Sequence, residues 1–245
     1  MNLVGAVALV TGSAKRVGRV IALHLASLGC HIVVHYRSSK AEAEGVREEI
    51  RGLGREATLI QADLARREEA ERAAREALDW KGNLAVLVNS AATYGKAPLG
   101  EVSEADWDFS LEANLLGPFW LSQVIGPRMM ESGSGKIVNI ADISWLSPWT
   151  GRLPYCVSKG ALVSLTMGLA KAYAPQVQVN AIGPGPVLFP PEYSEETRKA
   201  IVENTLVKRE GTPMDVALAV EFFCRSDFVT GVFLPVEGGQ LLKGS

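Results

Sequence analysis

The stretch Val7-Ala-Leu-Val10-Thr11-Gly12-Ser-Ala-Lys15-Arg16-Val17-Gly18-Arg19-Val20-Ile21-Ala22-Leu23-His24-Leu25 decides the fold. Its first four residues are apolar and begin and end on β-branched side chains, the composition of a strand buried on both faces. Thr11 and Gly12 then break the run, and from Val17 the apolar residues recur at helical spacing. A glycine-bearing turn between a strand and a helix brings backbone N–H groups and the helix N-terminus to one point, where they can meet an anion.

Working outward, the same alternation continues. Short apolar runs at 7–10, 31–35, 57–60, 84–88, 136–140, 177–180 and 231–236 predict strands, and amphipathic segments at 17–28, 41–53, 66–78, 105–130, 153–173 and 213–224 predict helices. Strand and helix in strict alternation imply right-handed βαβ units. The expected fold is therefore α/β: one doubly wound parallel sheet of about seven strands, helices on both faces, a single domain over 1–245. The segment Gly183-Pro-Gly-Pro-Val-Leu-Phe-Pro-Pro-Glu-Tyr is too rich in proline to be regular. Following the sixth strand, it opens a substrate loop expected at 184–210, either a lid over the pocket or a static surface loop.

Composition narrows the partners. The 245 residues are 47% hydrophobic and 21% charged with a net charge of −2. That balance gives no reason to expect nucleic acid or an anionic membrane, and favours a small-molecule substrate. No apolar run stands out as long enough to span a bilayer, and the N-terminus lacks a basic leader, which points to a cytoplasmic protein. The three cysteines, Cys30, Cys156 and Cys224, are far apart and lack metal-ligand spacing, so reduced thiols and no metal are expected.

The second half carries a reactive pattern: Asp142-Ile-Ser144-Trp145-Leu-Ser-Pro148-Trp149-Thr-Gly-Arg152-Leu-Pro-Tyr155-Cys-Val-Ser-Lys159. Tyr155 and Lys159 lie four residues apart in a helical run and so share a face. A neighbouring ammonium favours the phenolate, and the expectation is that Lys159 makes Tyr155 a usable acid or base. Trp145 and Trp149 would either line the substrate pocket or pack a subunit interface.

Together these motifs resemble the short-chain dehydrogenase/reductase family, with its Rossmann-type fold. The family turn is Thr-Gly-x-x-x-Gly-x-Gly; Gly12 and Gly18 fit, and Arg16 replaces the middle glycine. The resemblance matches Tyr155, Lys159 and Asn114 to catalytic positions, Asn114 on the long central helix, where it would anchor a water relay to Lys159. The usual serine, thirteen residues before Tyr155, is Asp142. Arg16 and Asp142 both resemble the pteridine reductase subset. There the arginine lies against cofactor phosphates and bound pterin, and Tyr94 falls where an aromatic ring sandwiches the pterin against the nicotinamide. The implied substrate-binding set is Arg16, Tyr94, Asp142 and Tyr155.

The second strand ends His35-Tyr36-Arg37-Ser38-Ser39, with no carboxylate to repel a 2′-phosphate, so NADPH is expected over NADH. The implied cofactor-binding set is Gly12, Arg16, Val17, Gly18, His35, Tyr36, Arg37, Ser38, Asp63, Leu64, Asn89, Ala91, Tyr155, Lys159, Pro184 and Gly185. Asn89-Ser-Ala-Ala92 keeps two positions of the family's Asn-Asn-Ala-Gly turn. Leu234-Pro-Val-Glu237-Gly238-Gly239 resembles the family's C-terminal tail, which implies a homotetramer.

Three functions follow from the resemblance. One is an NADPH-dependent reductase of a pterin, dihydropterin or dihydrofolate ring. The alternative is a carbonyl or 3-oxoacyl-ACP reductase, which needs a basic patch at the pocket mouth for an acidic carrier. The third is an NADP(H) sensor without turnover; such proteins typically lack the Tyr and Lys that are present here.

Overall fold

The computed structural model describes residues 1–82, 84–189 and 193–243. Seven strands form one sheet: β1 Val7–Val10, β2 His31–Tyr36, β3 Ala57–Gln61, β4 Leu84–Asn89, β5 Gly135–Ile140, β6 Val177–Pro184 and β7 Phe233–Val236. The order is β3-β2-β1-β4-β5-β6-β7, and every pairing is parallel. β1 is central, with Val10 beside Val34 on one side and Val88 on the other. Between β1 and β4 the winding reverses, and such a reversal opens a crevice beyond the strands' carboxyl ends.

Among the described residues there are eight α-helices, six of them on the two faces of the sheet: α1 Arg16–Ser27, α2 Lys40–Gly52, α3 Arg67–Asp79, α4 Glu104–Leu111, α5 Gly117–Glu131, α6 Leu153–Tyr173, α7 Glu195–Glu203 and α8 Pro213–Arg225. α3 shows how the sequence writes one of them. Ala70, Ala73, Ala74 and Ala77 recur at one-face spacing and are buried, while Arg67, Arg72 and Arg75 pair outward with Glu71 and Glu76. One face of the sheet packs with α1, α2 and α8 and the other with α3, α5 and α6, each over a continuous apolar core.

Three expectations need correction. The segment 105–130 is not one helix: α4 and α5 are joined by a π-helical turn, Glu112–Leu116, which holds Asn114. The substrate loop expected at 184–210 contains a helix not foreseen there, α7, started by the Ser194 hydroxyl accepting the Thr197 N–H at 3.2 Å. Within that loop 190–192 lie outside the described residues. Finally, α6 is, by length and composition, apolar enough to cross a membrane, at 21 residues and a mean hydropathy of 1.2. Its buried face, however, is packed inside the molecule and carries Tyr155, Ser158 and Lys159.

Candidate active site

A cleft of about 1020 Å³ runs along the carboxyl ends of the strands. At its floor the turn after β1 is shaped by two glycines. Gly12 has φ of 64°, in the left-handed region, and a side chain there would meet the Ala91 backbone at 2.9 Å. A Cβ on Gly18 would lie 2.5 Å from the Gly12 carbonyl oxygen. Arg16 adopts φ of 52°, also left-handed, so this position keeps a glycine-like backbone while carrying a guanidinium. Its Nη2 donates to the Leu188 carbonyl at 2.9 Å, tying the turn to the segment after β6.

His35 braces the same turn. The Gly12 N–H donates to Nδ1 at 3.0 Å, and Nε2 lies 3.1 Å from the Ala62 carbonyl, so the ring is the neutral tautomer with its proton on Nε2. Burial lowers its pKa from 6.5 to about 4. The Thr11 hydroxyl oxygen accepts the N–H groups of Ser90 and Ala91, both at 2.9 Å, which fixes the turn after β4 against the turn after β1. Gly12, Arg16, Val17, Gly18, His35, Tyr36, Arg37, Ser38, Asp63, Leu64, Ala91, Pro184 and Gly185 line the cleft.

Asn89 and Asn114 do not line it. Asn89 Nδ2 donates to Asn139 Oδ1 at 2.8 Å, and Asn139 Nδ2 donates to the Thr166 hydroxyl at 2.8 Å, cross-linking β4, β5 and α6 behind the wall. Asn114 is fully buried. Its Nδ2 donates to the Thr93 carbonyl at 3.1 Å and to the Ser158 hydroxyl at 3.0 Å, and its Oδ1 accepts the Thr93 N–H at 2.8 Å. The π turn, which inserts an extra residue in the helical repeat, aims this amide at the loop after β4 and at α6.

The reactive end is built from α6 and the turn after β5. The Tyr155 hydroxyl donates to Asp142 Oδ2 at 2.8 Å. Asp142 Oδ1 accepts the Ser144 N–H at 2.7 Å, and the buried Ser144 hydroxyl lies against the same carboxyl. Asp142 rather than Ser144 therefore meets the phenol. Lys159 Nζ donates to the Ile140 carbonyl at 2.8 Å and stands 5.7 Å from the Tyr155 ring centroid. Burial dominates all three groups. It lifts the Asp142 carboxyl and lowers the Lys159 ammonium from 10.5 to about 8. Burial and then the Asp142 charge push the Tyr155 phenol well above its usual range. The expectation that Lys159 makes Tyr155 acidic is overturned: desolvation of the phenolate and a carboxylate in direct contact outweigh an ammonium held by a carbonyl.

Over this pair stands an aromatic group. The Tyr94 ring is edge-on to Tyr155 at 4.9 Å and to Trp149 at 6.3 Å, and the Arg152 guanidinium covers one Tyr94 face at 3.7 Å. A stacking ligand would thus find at most the opposite face of Tyr94. Trp149 lines the cleft, whereas Trp145 packs edge-on against Phe233 at 5.4 Å in the core. Phe189 and Tyr193, within the expected substrate loop, also line it, as do Lys96 and Gln240, which sequence reasoning missed. Lys96 and Gln240 sit in stretches without periodicity. The adjacency of Phe189 and Tyr193 to the proline-rich segment was the available signal.

The profile of the short chain dehydrogenase family matches residues 6–200, and the chain belongs to that family. Among similar proteins is the 3-oxoacyl-[acyl-carrier-protein] reductase FabG of Staphylococcus epidermidis, 33% identical over 96% of this chain and 98% of its own length. Among solved structures is the FolM alternative dihydrofolate reductase 1 of Brucella canis complexed with NADP. It is 30% identical with a TM-score of 0.93, covering 100% of this chain and 97% of that one. A 7α-hydroxysteroid dehydrogenase complexed with NADH and 7-oxo glycochenodeoxycholic acid is also 30% identical, with a TM-score of 0.92, covering 97% of this chain and 96% of that one. The protein is thus an oxidoreductase of the short-chain class.

Proposed function

We propose that this oxidoreductase uses NADPH to reduce a C=N bond in a flat nitrogen heterocycle of the pterin or dihydrofolate type. The observation that carries the reading is the hydrogen bond from Tyr155 to Asp142, in place of a serine hydroxyl. A hydroxyl suits a ketone oxygen; a ring nitrogen must gain a proton, which a phenol backed by a carboxyl of raised pKa can deliver.

The residues present fit the cofactor. At Gly12 and Gly18 an added Cβ would clash with the backbone of Ala91 and of Gly12, so the turn packs tightly at the N-terminus of α1, where a pyrophosphate would meet backbone N–H groups. Arg37, Ser38 and Ser39 line the far end of the cleft, and no carboxylate opposes a phosphate among them. Arg16, Asp63, Leu64 and Ala91 would complete the dinucleotide site, with Lys159 at the nicotinamide ribose. When bound, NADPH supplies the hydride. Tyr155 holds the proton at its hydroxyl, Asp142 passes a proton to the ring nitrogen through or beside it, and Asn114 keeps α6 and the loop after β4 in register. Tyr94 and Trp149 exclude water and offer a planar surface, and the segment 184–210 forms the substrate loop, held by Arg16. NADPH should show a lower KM than NADH; the opposite preference would overturn the cofactor assignment.

A second reading is 3-oxoacyl-ACP reduction, and the curated relatives speak for it more strongly than for pterins. A basic surface for an acidic carrier at the mouth would have to be built from Arg152 and Lys96, which line the cleft; Arg128, paired with Glu131 at 3.1 Å, and Lys171 sit in the last turns of α5 and α6, at the strands' amino ends. The deciding assay follows NADPH oxidation with dihydrobiopterin, dihydrofolate, an acetoacetyl thioester and a simple diketone. Turnover of the pterins alone supports the first reading; turnover of the keto compounds alone overturns it.

A further inference from the structure

Most cations on the outer surface are ion-paired: Arg72 with Glu76 at 2.7 Å, Arg67 with Glu71 at 2.8 Å, Arg209 with Asp215 at 2.9 Å. Of the cations lining the cleft, Lys15 is paired with Glu42 at 2.7 Å. Arg16, Arg37 and Lys159 have roles in the proposed cofactor and catalytic sites. Lys96 and Arg152 have none, and neither is in an ion pair among the described residues.

The backbones that carry these two are bridged. The Ala97 N–H donates to the Gly151 carbonyl at 2.9 Å, and Ala97 forms an isolated parallel bridge with Arg152. The Arg152 guanidinium is fixed in place by the Tyr94 ring, 3.7 Å away, and by one bond from Nη1 to the Tyr94 carbonyl at 3.3 Å. A guanidinium carries five N–H donors, so most of its fork is uncommitted. Lys96 is exposed and makes no polar side-chain contact among the described residues. Two like charges placed together repel, and an anion between them reverses the sign of that interaction. The pair stands one aromatic ring away from the reactive centre, because Tyr94 separates Arg152 from Tyr155.

We infer that Lys96 and Arg152 form an anion-binding rim at the cleft mouth that takes a carboxylate on the tail of the ring substrate. The enzyme then prefers a dihydrofolate-type molecule to a tail-less dihydropterin. This rests on the proposed reduction of a nitrogen heterocycle and adds the part of the substrate that lies beyond the reacting ring. A planar fork matches a carboxylate in a bidentate way, and the lysine adds a point charge.

The test separates tail from ring. p-Aminobenzoylglutamate, the tail without the pterin, is titrated calorimetrically into the full-length protein and into Lys96→Gln, Arg152→Gln and Arg152→Lys. Binding should weaken roughly tenfold in each glutamine variant and partly recover in Arg152→Lys, and the uncharged diamide should not bind. Equal affinity in all variants, or equal affinity for the diamide, overturns the rim. In turnover, the KM ratio of dihydrofolate to dihydrobiopterin should rise about tenfold in Lys96→Gln, whose polar isolation makes misfolding no explanation. Variant-sensitive tail binding without pterin turnover would sink the proposed reaction and leave the rim standing. Pterin turnover with tail binding indifferent to the variants would sink the rim alone. Effects of the variants on acetoacetyl-coenzyme A, but not on the carboxylate tail, would overturn the carboxylate assignment in favour of a phosphate.

Discussion

The two ends of the cleft are held by different kinds of force. At the cofactor end the groups held are backbone: Gly12 and Gly18 pack where no Cβ fits, the His35 ring accepts the Gly12 N–H, and the Thr11 hydroxyl accepts two N–H groups from the turn after β4. At the substrate end side chains do it: Tyr94 against Tyr155, Arg152 against Tyr94, and Arg16 reaching the Leu188 carbonyl. Backbone contacts are available to any short-chain oxidoreductase and bind what such enzymes have in common. Side-chain contacts vary with single substitutions, and that is where a substrate class is chosen.

The comparison breaks if damage at one end spreads to the other. Tyr155→Phe removes the proton donor and should lower kcat on the order of a thousandfold, while the cofactor Kd, measured by fluorescence titration, stays within about threefold. A large loss of cofactor binding in this variant would show the two ends to be one unit. Gly18→Ala should do the reverse. A methyl 2.5 Å from the Gly12 carbonyl oxygen forces the turn open, costing roughly 2–4 kcal/mol in cofactor affinity and stability together. Unchanged Tm and cofactor Kd would mean that the turn yields easily.

A smaller effect sharpens the cofactor end. Burial holds His35 neutral down to a pKa of about 4, against 6.5 for a free ring. Between these values the unfolded chain binds a proton that the folded chain refuses, so stability is lost as pH falls from 6.5 towards 4. Against His35→Gln, which can accept and donate at the same two places without titrating, urea unfolding of the wild type should lose roughly 1–3 kcal/mol across that window. Parallel pH curves for the two proteins would remove His35 from the brace.

Reading the sequence recovered the sheet because its signals are local. Most strands are apolar runs with β-branched residues, and the helices packed on the sheet carry one-face patterns such as Ala70, Ala73, Ala74 and Ala77. The parts misread were those in which two signals coincide or compete. The region 105–130 keeps helical composition through Asn114, and composition does not record the extra residue of a π turn. Helix α7 was hidden by the prolines before it, although Ser194-Glu-Glu-Thr197 carries a capping signal of its own. Lys96 escaped notice because a cation in an aperiodic loop looks like any solvated lysine until its neighbours are known.

By itself the sequence determined the order of strands and helices, the glycine turn, the Tyr155–Lys159 face and the substitution of Asp142 for a serine. These are matters of residue type and spacing along the chain. Only the tertiary structure decided that Tyr155 donates to Asp142, that burial raises both and lowers Lys159, and that Asn114 and His35 act as braces. Tertiary packing likewise bridged Ala97, the neighbour of Lys96, to Arg152. The reason is that desolvation and hydrogen-bond partnership depend on what is near in space. Asp142 and Tyr155 lie 13 residues apart in the chain and 2.8 Å apart in the fold.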